Sequence, residues 1–191
     1  MRLGGNVPNA LTLVRIGAIP PILAALALEW RLLAFGLFLL AMATDFLDGY
    51  LARRWAQTSS LGRMLDPIAD KVLAATVLLM LTADSTIAGW HVVPALAILA
   101  REVLVSGMRE YLAGLAVAMP VTVLAKAKTA LQFAAIGLLI AGPAWGAWSG
   151  AGLAAGLGLL WIAAAMTAYT GFAYVRAALV HVADGRNGGR P

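Results

Sequence analysis

Apolar residues fill this chain in long runs, and the polar residues gather in short breaks between them. Six runs have helical length, at about 9–28, 31–54, 62–82, 91–113, 125–142 and 150–180. A helix crosses roughly 30 Å of hydrocarbon with about 20 residues, so the pattern predicts six membrane-crossing helices. The breaks predict the turns: Glu29 to Arg31, a polar loop over 55–61, Asp84 to Gly89, a connection ended by Pro120, and Gly142-Pro143. Asn9 is the expected N-cap of the first helix, and Pro20 and Pro21 are expected to kink it. Pro67 predicts either the opening of the third helix, with Asp66 as its cap, or a bend within it. The residues before Asn9 predict a short segment on the membrane surface, and the glycine-rich residues from Asp184 onward predict a flexible tail. The expected organisation is one membrane domain over 1–183 and a tail over 184–191.

Composition narrows the class. The chain has 191 residues, 62% of them hydrophobic and 12% charged, with a mean hydropathy of +0.86. These values are wrong for a soluble domain of this size and predict an all-α integral membrane protein. Twenty glycines suit close approach of helices in lipid, and Gly152, Ala155 and Gly156 have the spacing for packing, including against a second copy. The absence of cysteine excludes disulfides, thiolate metal sites and cysteine nucleophiles. The first apolar run continues too far for a cleavable signal peptide. A net charge of +5 does not imply nucleic acid, because the basic residues lie at helix ends and form no continuous face with interleaved aromatics. With six crossings, every one of the 14 basic residues except Arg31 falls on one side. The positive-inside rule makes that side cytoplasmic. Both termini and most of the polar chemistry are therefore expected at the inner face of a cell membrane.

The polar residues inside the apolar runs carry the candidate chemistry. Asp45, Asp48, Asp66 and Asp70 cluster where the second and third helices join. An acid at mid-membrane depth costs roughly 2.5–3.5 kcal/mol on insertion scales, so four in one place point to a bound cation. At about 100° per residue Asp45, Gly49 and Ala52 share a stripe with Asp48 beside it, and Asp66 and Asp70 are one turn apart. A short connection makes the two helices antiparallel neighbours, so the acid pairs converge near one membrane surface. Carboxylates without His or Cys describe a hard-cation site for Mg²⁺, Mn²⁺ or Ca²⁺, with enough oxygens for two ions. Such sites commonly serve phosphate, and Arg101, Arg109, Lys126 and Lys128 could receive a second one. A single acid at a helix end is usually just solvated; four at this spacing, with Gly49, Ala52 and Gly62 leaving room against the backbone, favour a site. Glu102 and Arg109, seven residues apart, lie on nearly one helix face and could neutralise each other. Lys126 and Lys128 point about 200° apart on a regular helix, so both reach one pocket only if the helix start is irregular. Thr12 and Arg15 have the spacing of a cap and a snorkelling side chain, and His91 and His181 read as interfacial or tail residues.

The pattern Asp-x2-Asp-Gly-x2-Ala-Arg-x8-Gly-x3-Asp-x3-Asp, matched over residues 45–70 at every defined position, resembles the signature of the CDP-alcohol phosphatidyltransferases. The resemblance implies six transmembrane helices, commonly a homodimer, and transfer of a phosphatidyl-type group from a CDP-linked lipid to an alcohol with release of CMP. It assigns Asp45, Asp48 and Asp66 to metal binding and Asp70 to general base and further ligand, with Mg²⁺ or Mn²⁺ as cofactor, two ions in all. Gly49, Ala52, Arg53, Gly62 and Asp66 would line the CDP-lipid site. Three further stretches, at 6–15, 100–110 and 126–132, are similar to members whose acceptor is glycerol 3-phosphate. They imply CDP-diacylglycerol as donor, with Arg109, Lys126, Lys128 and Arg101 on the acceptor phosphate and Thr12 and Arg15 closing the site. Inositol phosphate, serine or phosphatidylglycerol as acceptor would use the same chemistry. A divalent-cation transporter is the reading from a different class, and it would need the acids near mid-membrane.

Overall fold

A computed structural model of the chain describes residues 7–55, 60–114 and 123–187. Among them there is no strand, and six α-helices carry almost everything: α1 Val7–Ala27, α2 Arg31–Trp55, α3 Ser60–Ala83, α4 Val92–Gly114, α5 Val123–Ala141 and α6 Ser149–Asn187. Single 3-10 turns at Gly89–His91, Gly142–Ala144 and Gly146–Trp148 join the later helices. Each expected helix is present. Among the described residues three stretches are long and apolar enough to cross a membrane: Gly89–Leu112, Ala127–Ala144 and Gly146–Arg176. Leu11–Ala27 is apolar but shorter, and the apolar runs of α2 and α3 are interrupted by their own charges, Asp45 and Asp48 in one and Asp66, Asp70 and Lys71 in the other.

Three local expectations are corrected. Asn9 is not an N-cap, because α1 already begins at Val7. Pro8 explains the earlier start: its fixed φ and missing N–H suit a first helical turn. Asp66 is not a cap either, since α3 runs from Ser60 with Pro67 inside it. The tail expected from Asp184 is helical as far as Asn187, where the described part of α6 ends. Residues 1–6, expected on the membrane surface, and most of the expected loop at 55–61 lie outside the described residues.

The chain divides into two compact units where the sequence predicts one domain: Met1–Ala88 with Ile136–Gly156, and Gly89–Ala135 with Leu157–Pro191. In the first unit α1 packs on both α2 and α3. Its core is built from stripes at helical spacing: Ile19, Ile22 and Leu26 on α1, Ala34, Phe38 and Ala41 on α2, and Leu73, Val77 and Leu81 on α3, all buried. The turn after α1 closes with a bond from Trp30 N–H to the Ala25 carbonyl, 2.8 Å, with Glu29 in the left-handed region at φ 59°. That is the Schellman geometry, with a glutamate where glycine is usual. At the same end Arg31 pairs with Asp84 at 2.9 Å, which explains the one basic residue set apart from the rest. In the second unit Ala95, Ile98, Val105 and Leu112 make one buried stripe of α4, with Phe133, Leu160 and Ala163 also in the core.

Small residues on α6 are used within the chain. A Cβ on Gly152 would lie 2.7 Å from the Trp145 ring and 3.0 Å from Gly142 Cα, and one on Gly156 would lie 2.9 Å from Leu139. Gly152→Leu should therefore destabilise the protein by about 1–3 kcal/mol through overpacking. Gly158, around which a Cβ would meet nothing within 4 Å, should accept alanine with no loss, or a gain of up to about 1 kcal/mol from the stiffer helix. Thermal unfolding of the two variants in detergent separates these outcomes.

Candidate active site

The buried stripes of the first unit all turn polar at the same end. On α1 the stripe Leu26, Ile22, Ile19 continues backwards to Arg15 and Thr12, which are both fully buried. On α2 the stripe Ala34, Phe38, Ala41 continues to Asp45, and on α3 the stripe Leu81, Val77, Leu73 continues to Asp70 and Asp66. Asp45 lies roughly 21 Å along α2 from the Arg31 end, at 1.5 Å per residue. The same periodicity that builds the apolar core thus delivers an ionic cluster at its far end.

Arg15 is the hub. Its Nη2 is 3.0 Å from Asp45 Oδ1 and its Nη1 is 3.0 Å from Asp70 Oδ1. Thr12 Oγ1 donates to Asp66 Oδ1. The side chain of Arg15 has no exposure, whereas Asp45 and Asp70 keep 37% and 35% of theirs. The guanidinium therefore lies beneath the acids, and the acids reach outward. Two carboxylates face the guanidinium and a third, Asp66, takes the Thr12 hydroxyl, so three acids gathered with one guanidinium retain net negative charge. Among the described residues no three acids are gathered on one point; Asp45 and Asp70 are spread over opposite nitrogens of Arg15. The donor set still fits a divalent metal, because every donor is a hard carboxylate oxygen and partly accessible. Gly62 is buried near the start of α3. Asp48, Gly49, Ala52 and Arg53 belong to α2, but their side chains lie outside the described ones.

Two of the four expected phosphate ligands are engaged with an acid in the second unit. Glu102 Oε1 accepts from Lys128 Nζ and from Arg101 Nη1, the latter at 3.1 Å. Lys128 is 3% exposed. Arg101 Nη2 donates to Thr170 Oγ1 at 3.2 Å, and its guanidinium stands 5.7 Å from the centre of the Tyr174 ring. Gly171 admits the arginine stem, since a Cβ there would lie 3.0 Å from Arg101 Cγ. Arg109 is exposed on α4, and the Lys126 side chain lies outside the described ones. Glu102 has no assigned role from sequence because helical spacing points to a partner on its own face, Arg109, whereas Lys128 is on another helix. His91 has a structural contact, its Nδ1 accepting from Trp161 Nε1 at 3.1 Å.

A family model described as CDP-alcohol phosphatidyltransferase matches residues 5–180. The chain is 44% identical over 184 residues to a Rickettsia bellii protein named CDP-diacylglycerol–glycerol-3-phosphate 3-phosphatidyltransferase, covering 93% of this chain and 97% of that protein. A Rickettsia felis protein of the same name is 45% identical with the same coverage. A third of that name, from Cereibacter sphaeroides, is 38% identical over 94% of this chain and 98% of its own length.

The Glu102 cluster generates a stability prediction. Glu102→Ala leaves the buried Lys128 ammonium without this carboxylate, which should cost about 3 kcal/mol or more. Adding Lys128→Met removes the buried charge that lost this carboxylate, so the double variant should be more stable than Glu102→Ala alone. Denaturation of the single and double variants in detergent reads the coupling, and simply additive losses would contradict it.

Proposed function

This chain belongs to the CDP-alcohol phosphatidyltransferase family, and on that footing we propose that it transfers the phosphatidyl group of CDP-diacylglycerol to glycerol 3-phosphate, releasing CMP. The names of the similar proteins supply the two substrates. The observation that carries the reading to this chain is the ionic end of the three core stripes, where Asp45, Asp66 and Asp70 converge on Thr12 and Arg15 within the signature of the family. Membership also favours phosphoryl chemistry over cation transport as the purpose of the acids.

Divalent-metal dependence is general in this family, and Asp45, Asp48, Asp66 and Asp70 would hold Mg²⁺ or Mn²⁺, two ions in the full site. Held by these carboxylates, a divalent ion would supply positive charge to offset that of the diphosphate and the departing CMP. Gly49, Ala52 and Gly62 leave room for the nucleotide close to the backbone, with Arg53 beside it. Asp70 takes the proton of the acceptor's primary hydroxyl, which must approach within about 2.6–3.2 Å. The hydroxyl oxygen forms a bond to the lipid-bearing phosphorus, and the bond from that phosphorus to the oxygen of CMP breaks, so the proton ends on Asp70 and the electron pair on CMP. Arg15 positions Asp70 for this work by bonding its Oδ1. Arg109, Lys126, Lys128 and Arg101 take the acceptor's phosphate, which for Lys128 and Arg101 means sharing them with Glu102.

The setting is a membrane crossed six times, with the acids and both termini at the cytoplasmic face of the inner membrane, and the working form a homodimer. Large apolar side chains standing exposed on the helices, among them Leu32, Leu40, Leu79, Val103 and Phe172, support immersion in lipid. Purified protein given labelled CDP-diacylglycerol should form phosphatidylglycerol phosphate with glycerol 3-phosphate, and not the corresponding products with inositol phosphate or serine. Asp70→Asn should lower that rate by about 10²–10⁴ while Mn²⁺ still binds; full activity in the variant would remove the base assignment.

A further inference from the structure

We propose that Arg15 is a resident counter-cation of the acid cluster: a positioning residue that orders Asp45 and Asp70 before substrate arrives and that a divalent ion must oppose in order to bind them. The inference rests on the metal-site reading above and adds a residue that sets how tightly the metal is held.

Three observations support it. First, Arg15 occupies a core position, on one stripe with Ile19, Ile22 and Leu26, and has no exposed surface. A guanidinium so placed has no water to retreat to, and leaving its carboxylates would strand a buried charge. It is therefore a fixed feature of the site. Second, it divides its two Nη groups between acids of different helices, Asp45 of α2 and Asp70 of α3, at 3.0 Å each. That fork ties α1 to both acid-bearing helices, a geometry which a lysine ammonium cannot reproduce in kind. Third, both acids remain about one-third exposed, so an incoming ion meets their outer oxygens with the guanidinium charge directly behind them.

The consequence is electrostatic. Any cation held by Asp45 and Asp70 is repelled by Arg15 across a few ångströms of poorly hydrated space. Each carboxylate is also already partly neutralised. Metal affinity in the protein alone is therefore held down, and it rises when a diphosphate brings negative charge of its own to the same place. Arg15 thereby links metal capture to substrate, while keeping like-charged acids from separating when neither is bound.

The test is Mn²⁺ binding to the full-length protein in detergent, followed by loss of the free-ion electron paramagnetic resonance signal, together with melting temperature with and without Mn²⁺. Asp45→Asn identifies binding at the cluster. Arg15→Met should bind Mn²⁺ on the order of tenfold more tightly than wild type. It should also melt lower without the ion and gain more from it. Arg15→Gln removes the charge but keeps a donor for one acid, and should shift affinity in the same direction should the methionine variant not accumulate. Arg15→Lys restores the charge and should return affinity to within about threefold of wild type. If neutral variants bind Mn²⁺ equally or more weakly, Arg15 is only a scaffold and the proposal fails alone. If wild type shows no Mn²⁺ binding that Asp45→Asn weakens, the metal-site reading fails and takes this proposal with it.

Discussion

A positive charge buried at the end of an apolar core is the constraint that most of the first unit answers to. Arg15 sits on the core stripe of α1 with no exposed surface, and a charge in that position is tolerable only where carboxylates meet it. Asp45 and Asp70 do so from α2 and α3. Because each of those acids is also the next member of its own helix's buried stripe, the register of all three helices is tied to a single ionic contact. Slide any one helix by a residue and both its apolar stripe and its polar terminus leave the shared face. The same contact leaves Asp45 and Asp70 about one-third exposed, and accessible carboxylates are what a metal and diphosphate site requires.

The second unit solves a related problem with opposite signs. There the acid is central and the cations surround it: Glu102 holds Lys128 and Arg101, and α6 braces Arg101 with Thr170, Tyr174 and the gap left by Gly171. Two cations against one carboxylate leave net positive charge, suited to an anion such as a phosphate. Each cluster is thus partly neutralised from within and keeps a residual charge, negative around Arg15 and positive around Glu102. Excess charge held by a fixed counter-ion stays oriented without substrate, which lowers the reorganisation left for the reaction itself.

Much of the fold was legible because run length and helix length are set by the same physics. The second helix was expected at about 31–54 and is Arg31–Trp55. The approach of Asp45 to Asp66 and Asp70 was legible too, since spacing on α2 and α3 already puts these three acids on the faces they occupy; the side chain of Asp48 lies outside the described ones. What escaped was the partner of each charge. Arg15 looked like a snorkelling side chain because its burial depends on two other helices, and no local pattern on α1 reports them. Glu102 was matched with Arg109 by face, whereas Lys128 comes from α5. Asn9 has the chemistry of a cap, but Pro8 starts the helix earlier. Gly152 and Gly156 had the spacing for a helix contact, yet only the positions of Trp145 and Leu139 show that the contact is within the chain. Local propensity and periodicity were readable; long-range pairing was not.

The central claim is that the carboxylates ending these stripes form one metal centre over Arg15. Anomalous diffraction from a crystal grown with Mn²⁺, recorded at the manganese edge, addresses it most directly. The account predicts at least one peak with oxygens of Asp45, Asp66 or Asp70 within about 2.6 Å. Full Mn²⁺ occupancy elsewhere in the crystal, with Asp45 and Asp70 still on Arg15, Asp66 still on Thr12 and no peak among them, would contradict it.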